Sequence, residues 1–79
     1  EVIIELDREK LAIYGKESSI QNLEEEISKI KDKQRNIIFR IDKEVKSERG
    51  IEILDLLQKY GLFNISLLTD TKNKTGNTL

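Results

Sequence analysis

Apolar and polar residues alternate from Val2 to Asp7 (VIIELD). Val2, Ile4 and Leu6 fall on one side, and Ile3, Glu5 and Asp7 on the other. This period of two predicts a strand with one buried face. Leu11 to Tyr14 (LAIY) predicts a second short strand, with Leu11 and Ile13 facing together. Asp7-Arg8-Glu9-Lys10 lies between them and predicts a hairpin. The connection has no Gly, so it reads as a longer type I turn rather than a two-residue loop. Gly15 ends the second strand.

The period then changes. Ile20, Leu23, Ile27 and Ile30 recur at helical spacing and predict a helix over Ser18 to Arg35. Ser18 and Gln21 have the spacing of a capping box. Glu24, Glu25 and Glu26 precede Lys29, Lys31, Lys33 and Arg35, an order that complements the helix dipole.

A third strand is expected over Asn36 to Asp42. Ile37, Phe39 and Ile41 share one face, and Ile38 and Arg40 the other. A second helix follows, from about Glu48 to Tyr60, with Ser47 as its expected cap. Gly50 in its first turn costs about 1 kcal/mol relative to Ala and suggests close packing there. Gly61 stops this helix, with Leu62 as the apolar partner of a Schellman-type cap. Asn64 to Asp70 is the fourth strand, with Ile65 and Leu67 on one face and Leu68 on the other.

These elements predict an α+β fold in the order β-β-α-β-α-β: a small mixed β-sheet with two helices on one face. The opposite face would carry Ile3, Glu5, Ile38, Arg40, Ser66 and Leu68. That mixture is too apolar for an ordinary solvated surface and suits contact with a second copy. Residues 1–70 are expected to form one domain. Thr71 to Leu79 (TKNKTGNTL) reads as a flexible polar tail.

At 79 residues the chain is one domain at most, close to the size where a single core stabilises only marginally. The net charge is −1. Glu24, Glu25, Glu26 and Asp32 are matched by Lys29, Lys31, Lys33 and Arg35, so no segment offers the basic surface that nucleic acid requires. No apolar run approaches the ~20 residues of a membrane span. The chain starts at Glu1 rather than Met, so any anchor is expected upstream of it.

Composition also narrows the chemistry. The chain has no His and no Cys. This removes the usual neutral-pH base, the commonest metal ligand and the thiol nucleophile. Glu24, Glu25 and Glu26 are consecutive on a helix, diverge around its axis and read as a solvated face rather than a cation site. Asp42 and Asp70 end strands and would approach each other if those strands are parallel neighbours. The preferred reading is that Asp42 bonds backbone amides in the turn before the second helix. Phe39 is a lone aromatic without basic surroundings and reads as core, not as an RNA-stacking platform. No catalytic residue, metal site or cofactor is expected. A binding module that works through a sheet edge fits these negatives best.

IIFRIDKEV (from Ile37), a helix ending LLQKYGL, and then ISLLTD (from Ile65) resemble the periplasmic domain of the ExbD/TolR family. The upstream hairpin with LAIYGK and the helix with LEEEI fit the same pattern. The hairpin turn departs from it, carrying Arg8-Glu9-Lys10 where the family often has Gly. The turn after Lys43 (EVKSERG) is more charged than is usual there.

The resemblance implies a single-pass inner-membrane protein whose membrane helix and proton-relevant Asp lie outside this chain. It also implies a homodimer working with an ExbB-like motor subunit. An ExbD-like protein would pass proton-motive energy to TonB for outer-membrane uptake of iron complexes and vitamin B12. A TolR-like protein would instead bind peptidoglycan and serve envelope integrity. The ExbD-like reading is preferred, with an extended TonB segment expected to add as a strand along Ile65, Ser66, Leu67, Leu68, Thr69 and Asp70.

Overall fold

The computed structural model describes residues 1–70; the tail expected from Thr71 to Leu79 lies outside the described residues. The elements are β1 (Val2–Leu6), β2 (Leu11–Ile13), β3 (Lys16–Ser18), α1 (Ile20–Ser28), β4 (Ile37–Asp42), α2 (Ser47–Lys59) and β5 (Ile65–Asp70). The strands form one mixed sheet in the order β3-β2-β1-β4-β5. β1, β4 and β5 are parallel, while β2 runs antiparallel to both β1 and β3. The fold is α+β, as the patterning predicts.

The alternation along each strand decides which face is covered. Val2, Ile4 and Leu6 of β1, Leu11 and Ile13 of β2, and Ile37 and Phe39 of β4 are buried. They meet Leu23 and Ile27 from α1 and Ile53 and Leu57 from α2, so both helices lie on this one face. Phe39 is fully buried at the centre, which assigns it to the core.

The structure adds an element to the expected order. β3 is a third antiparallel strand, of sequence KES, and it carries no apolar alternation that could announce it. Its turn is Tyr14-Gly15, both at positive φ (55° and 78°), as a type I′ hairpin requires. Gly15 therefore reverses the chain rather than merely ending β2.

The first helix is shorter than its charge pattern suggests. Ser18 pairs with Leu11 in β3, so the cap moves to Ser19, whose hydroxyl accepts the Asn22 amide at 3.1 Å. The helix closes at Ser28 because nothing apolar follows Ile30 to be buried. The last turn tightens, with the Ile30 amide donating to the Ile27 carbonyl at 3.1 Å. Asp32 then builds a turn of its own by accepting the Gln34 amide at 3.0 Å.

In α2, Ser47 is the first helical residue rather than the cap. Lys46 holds the cap position and makes no side-chain bond there. The preceding turn, closed by Asp42, ends just before Lys46 and leaves no residue between turn and helix. The helix ends as expected. Gly61 has φ 76°, its amide donates to the Gln58 carbonyl at 2.9 Å, and the Leu62 amide donates to the Leu57 carbonyl at 3.0 Å. These are the two bonds of a Schellman motif, and Leu62 is buried beneath it.

Candidate functional site at the β5 edge

Among the described residues the sheet has two unlike edges. β3 is three residues long and two of them, Lys16 and Glu17, are charged, which discourages further pairing. β5 is six residues long and carries its charge only at Asp70. Its sole neighbour is β4, in register from Ile37 opposite Ile65 to Asp42 opposite Asp70.

The backbone alternation of β5 follows from the hydrogen bond that starts the ladder. The Ile37 amide donates to the Asn64 carbonyl at 2.9 Å. Asn64, Ser66 and Leu68 therefore turn their backbone groups toward β4, and Leu67 and Thr69 turn theirs outward. The side chains of Leu67 and Thr69 lie on the helix side of the sheet, the side of Phe39 and Ile41, their register partners. Leu67 is 50% exposed there, and Leu68 is 43% exposed on the opposite face. Two apolar side chains thus flank a row of outward-facing peptide groups.

Several contacts fix this edge. The Asn64 side-chain amide donates to the Gln34 carbonyl at 2.7 Å, and the Ser66 hydroxyl donates to Asn36 Oδ1 at 3.3 Å. Asp42 Oδ1 accepts the Glu44 amide at 3.1 Å, and the Asp42 carbonyl accepts the Val45 amide at 3.1 Å. This turn delivers the chain from β4 into α2. Arg49 Nη1 then donates to the carbonyls of Asp7 (2.8 Å) and Arg8 (3.0 Å), fastening the first turn of α2 to the β1–β2 connection. Asp7 holds that connection from inside. Its carboxylate accepts the amides of Glu9 and Lys10, each at 2.8 Å, and these two bonds hold its pKa below the ordinary carboxylate value.

Gly50 brings the start of α2 low over β4. A Cβ there would come within 3.2 Å of Ile41 Cδ1. Toward β5 the helix leaves a hollow of about 480 Å³, lined by Ile41, Val45, Gly50, Ile51, Leu54 and Thr69, with Lys43 and Lys46 on its rim. Ile51 is 54% exposed. No period or motif in the sequence announces this hollow. The available signal was Ile51 itself, an apolar helix residue just outside the buried stripe of Gly50, Ile53 and Leu57.

The family model described as Biopolymer transport protein ExbD/TolR matches residues 1–72. The chain belongs to the ExbD/TolR family. No curated protein matches it. The family is transport-related and non-enzymatic, and its members are membrane-anchored with a periplasmic domain. Among the described residues no helix is long and apolar enough to cross a membrane.

Two further polar contacts of this ExbD/TolR domain tie its elements together. Glu24 separates from Glu25 and Glu26: its Oε2 accepts Tyr60 Oη at 2.7 Å and Lys59 Nζ at 3.0 Å, which joins α1 to the end of α2. Those bonds, Tyr60's foremost, lower the pKa of Glu24. On the open sheet face Arg40 and Glu5 approach to 3.8 Å. They line a second hollow of about 290 Å³ with Asp7, Lys10 and Asp42, three acids against two bases. Among the described residues no three metal-ligating side chains converge.

Proposed function

We propose that this chain is the periplasmic domain of an ExbD-like subunit of a proton-motive-force-driven inner-membrane complex with ExbB-like and TonB-like partners, energising outer-membrane uptake of iron complexes and vitamin B12. Its task is to bind an extended TonB segment by strand addition along Ile65 to Asp70. The observation that carries this reading is the β5 edge, with outward peptide groups at Leu67 and Thr69 and exposed apolar side chains on both faces. An added strand would satisfy the peptide groups and cover Leu67 and Leu68 together.

A second copy of the domain belongs on the open sheet face. Ile3 is 40% exposed there, next to Glu5 on β1, and the Glu5–Arg40 pair leads across β4 to the exposed Leu68 on β5. That placement leaves β5 available to TonB. The test is an NMR titration of the labelled domain with peptides from the periplasmic part of TonB of the same organism. Shifts centred on Ile65 to Asp70 are expected. Absence of shifts at millimolar peptide, together with retention on purified cell wall, would replace this reading with a TolR-like, peptidoglycan-binding one.

A further inference from the structure

We infer that the hollow between α2 and β5 is the side-chain pocket that selects the captured segment: it takes one large aliphatic or aromatic residue, with an acidic residue beside it. The inference rests on the strand-addition reading above. Cross-strand neighbours in a sheet point to the same face, whichever way the second strand runs. A residue added opposite Thr69 must therefore put its side chain on the helix side. Thr69 is a wall of the hollow, so that side chain enters between Thr69 and the exposed flank of α2 at Ile51 and Leu54. The floor, Ile41 and Val45, is apolar and already half-buried.

The rim supplies the second half of the preference. Lys43 and Lys46 both border the hollow, and neither takes part in an ion pair among the described residues. Asp42 also borders it, so the two lysines outnumber one carboxylate. The rim therefore favours a partner carboxylate next to the apolar anchor. At this degree of exposure the charge contributes more to selection and association rate than to affinity.

The experiment takes the TonB-derived peptide that binds most tightly and replaces its residues with Ala in turn, against the unaltered domain, Ile51→Lys, Ile51→Ala and Thr69→Pro. Thr69 turns its amide outward, so Pro removes a bond available to the added strand without removing one to β4. Circular dichroism verifies folding, and Ile51→Ala stands in if the Lys variant unfolds.

Loss of about tenfold in affinity is expected for Ile51→Lys, and less for Ile51→Ala. Both losses should vanish for the peptide whose anchor is already Ala. Equal losses for every peptide, or none while Thr69→Pro still abolishes binding, would overturn the pocket and leave strand addition standing. If Thr69→Pro binds normally, or no peptide binds at all, strand addition fails and the pocket with it.

Discussion

Tyr60 Oη donates to Glu24 Oε2 at 2.7 Å, and this bond joins the C-terminal end of α2 to the middle of α1. It gives the domain a pH signature at both ends of the scale. Glu24 is depressed, chiefly by the Tyr60 hydroxyl, so its contribution is present above the ordinary carboxylate range. It is lost as pH falls through the lower folded value. Tyr60 is raised, chiefly by Glu24, so its contribution is present below its ordinary value of about 10 and is lost as pH rises past the folded one. Tyr60→Phe is expected to lower the denaturation midpoint at neutral pH and to flatten both limbs of a stability–pH curve. Urea melts from pH 3 to pH 11, roughly the span of these groups, measure it. Parallel curves for the two proteins would refute the assignment.

Gly61 and Gly50 should respond oppositely to Ala. Gly61 sits at φ 76° with open space around a prospective Cβ, so Gly61→Ala meets only backbone strain and should cost about 1 kcal/mol. Gly50→Ala gains helix propensity of about 1 kcal/mol but brings a methyl to 3.2 Å from Ile41 Cδ1. Ile41 borders the hollow and has room to rotate, so the net change should be near zero or stabilising. Chemical denaturation of the two variants separates the cases.

Arg49 reaches across from α2 to the carbonyls of Asp7 and Arg8. Arg49→Met keeps the stem and removes both charged bonds. A loss of about 1–3 kcal/mol is expected. Amide exchange at Glu9 and Lys10 should accelerate along with it, because their acceptor Asp7 is no longer held from outside. Unchanged exchange there would mean that the Asp7 carboxylate alone sets the turn.

Leu67→Lys tests the edge without disturbing the core. Half of this side chain is exposed, so stability should change by less than about 1 kcal/mol. Binding of a TonB segment should fall, because the added strand must bury the new ammonium. Isothermal titration alongside a urea melt reads both quantities, and unchanged affinity would remove Leu67 from the interface.

Strands with a covered face were legible because burial writes itself as alternation. Val2, Ile4 and Leu6, and Ile37 and Phe39, show this directly, as does the Gly61–Leu62 stop. β3 was not legible, since Lys16, Glu17 and Ser18 pair through their backbones and bury no apolar side chain. The end of α1 was hidden for a related reason. Lys29 to Arg35 suits a helix by propensity and dipole, but it has no apolar residue after Ile30 to hold a further turn against the sheet. The sequence hints at the edge position of β5 only through its short apolar run with a polar stretch after it. The hollow beside it depends on how low α2 rides over β4, a distance set by Gly50 and Ile41 together, which no local pattern encodes.

The unlike edges give the sheet a valence of one. A strand that arrives at β5 finds outward amides and apolar flanks, while a strand that arrives at β3 finds only three residues, two of them charged. Edge-to-edge stacking of copies would need a second receptive border, and among the described residues the short, charged β3 is a poor one. Under the strand-addition proposal, β5 is one border of six residues, so two extended segments would compete for it. If β5 is the capture site we propose, the border works as a latch with a single catch, holding one strand along one line of peptide groups.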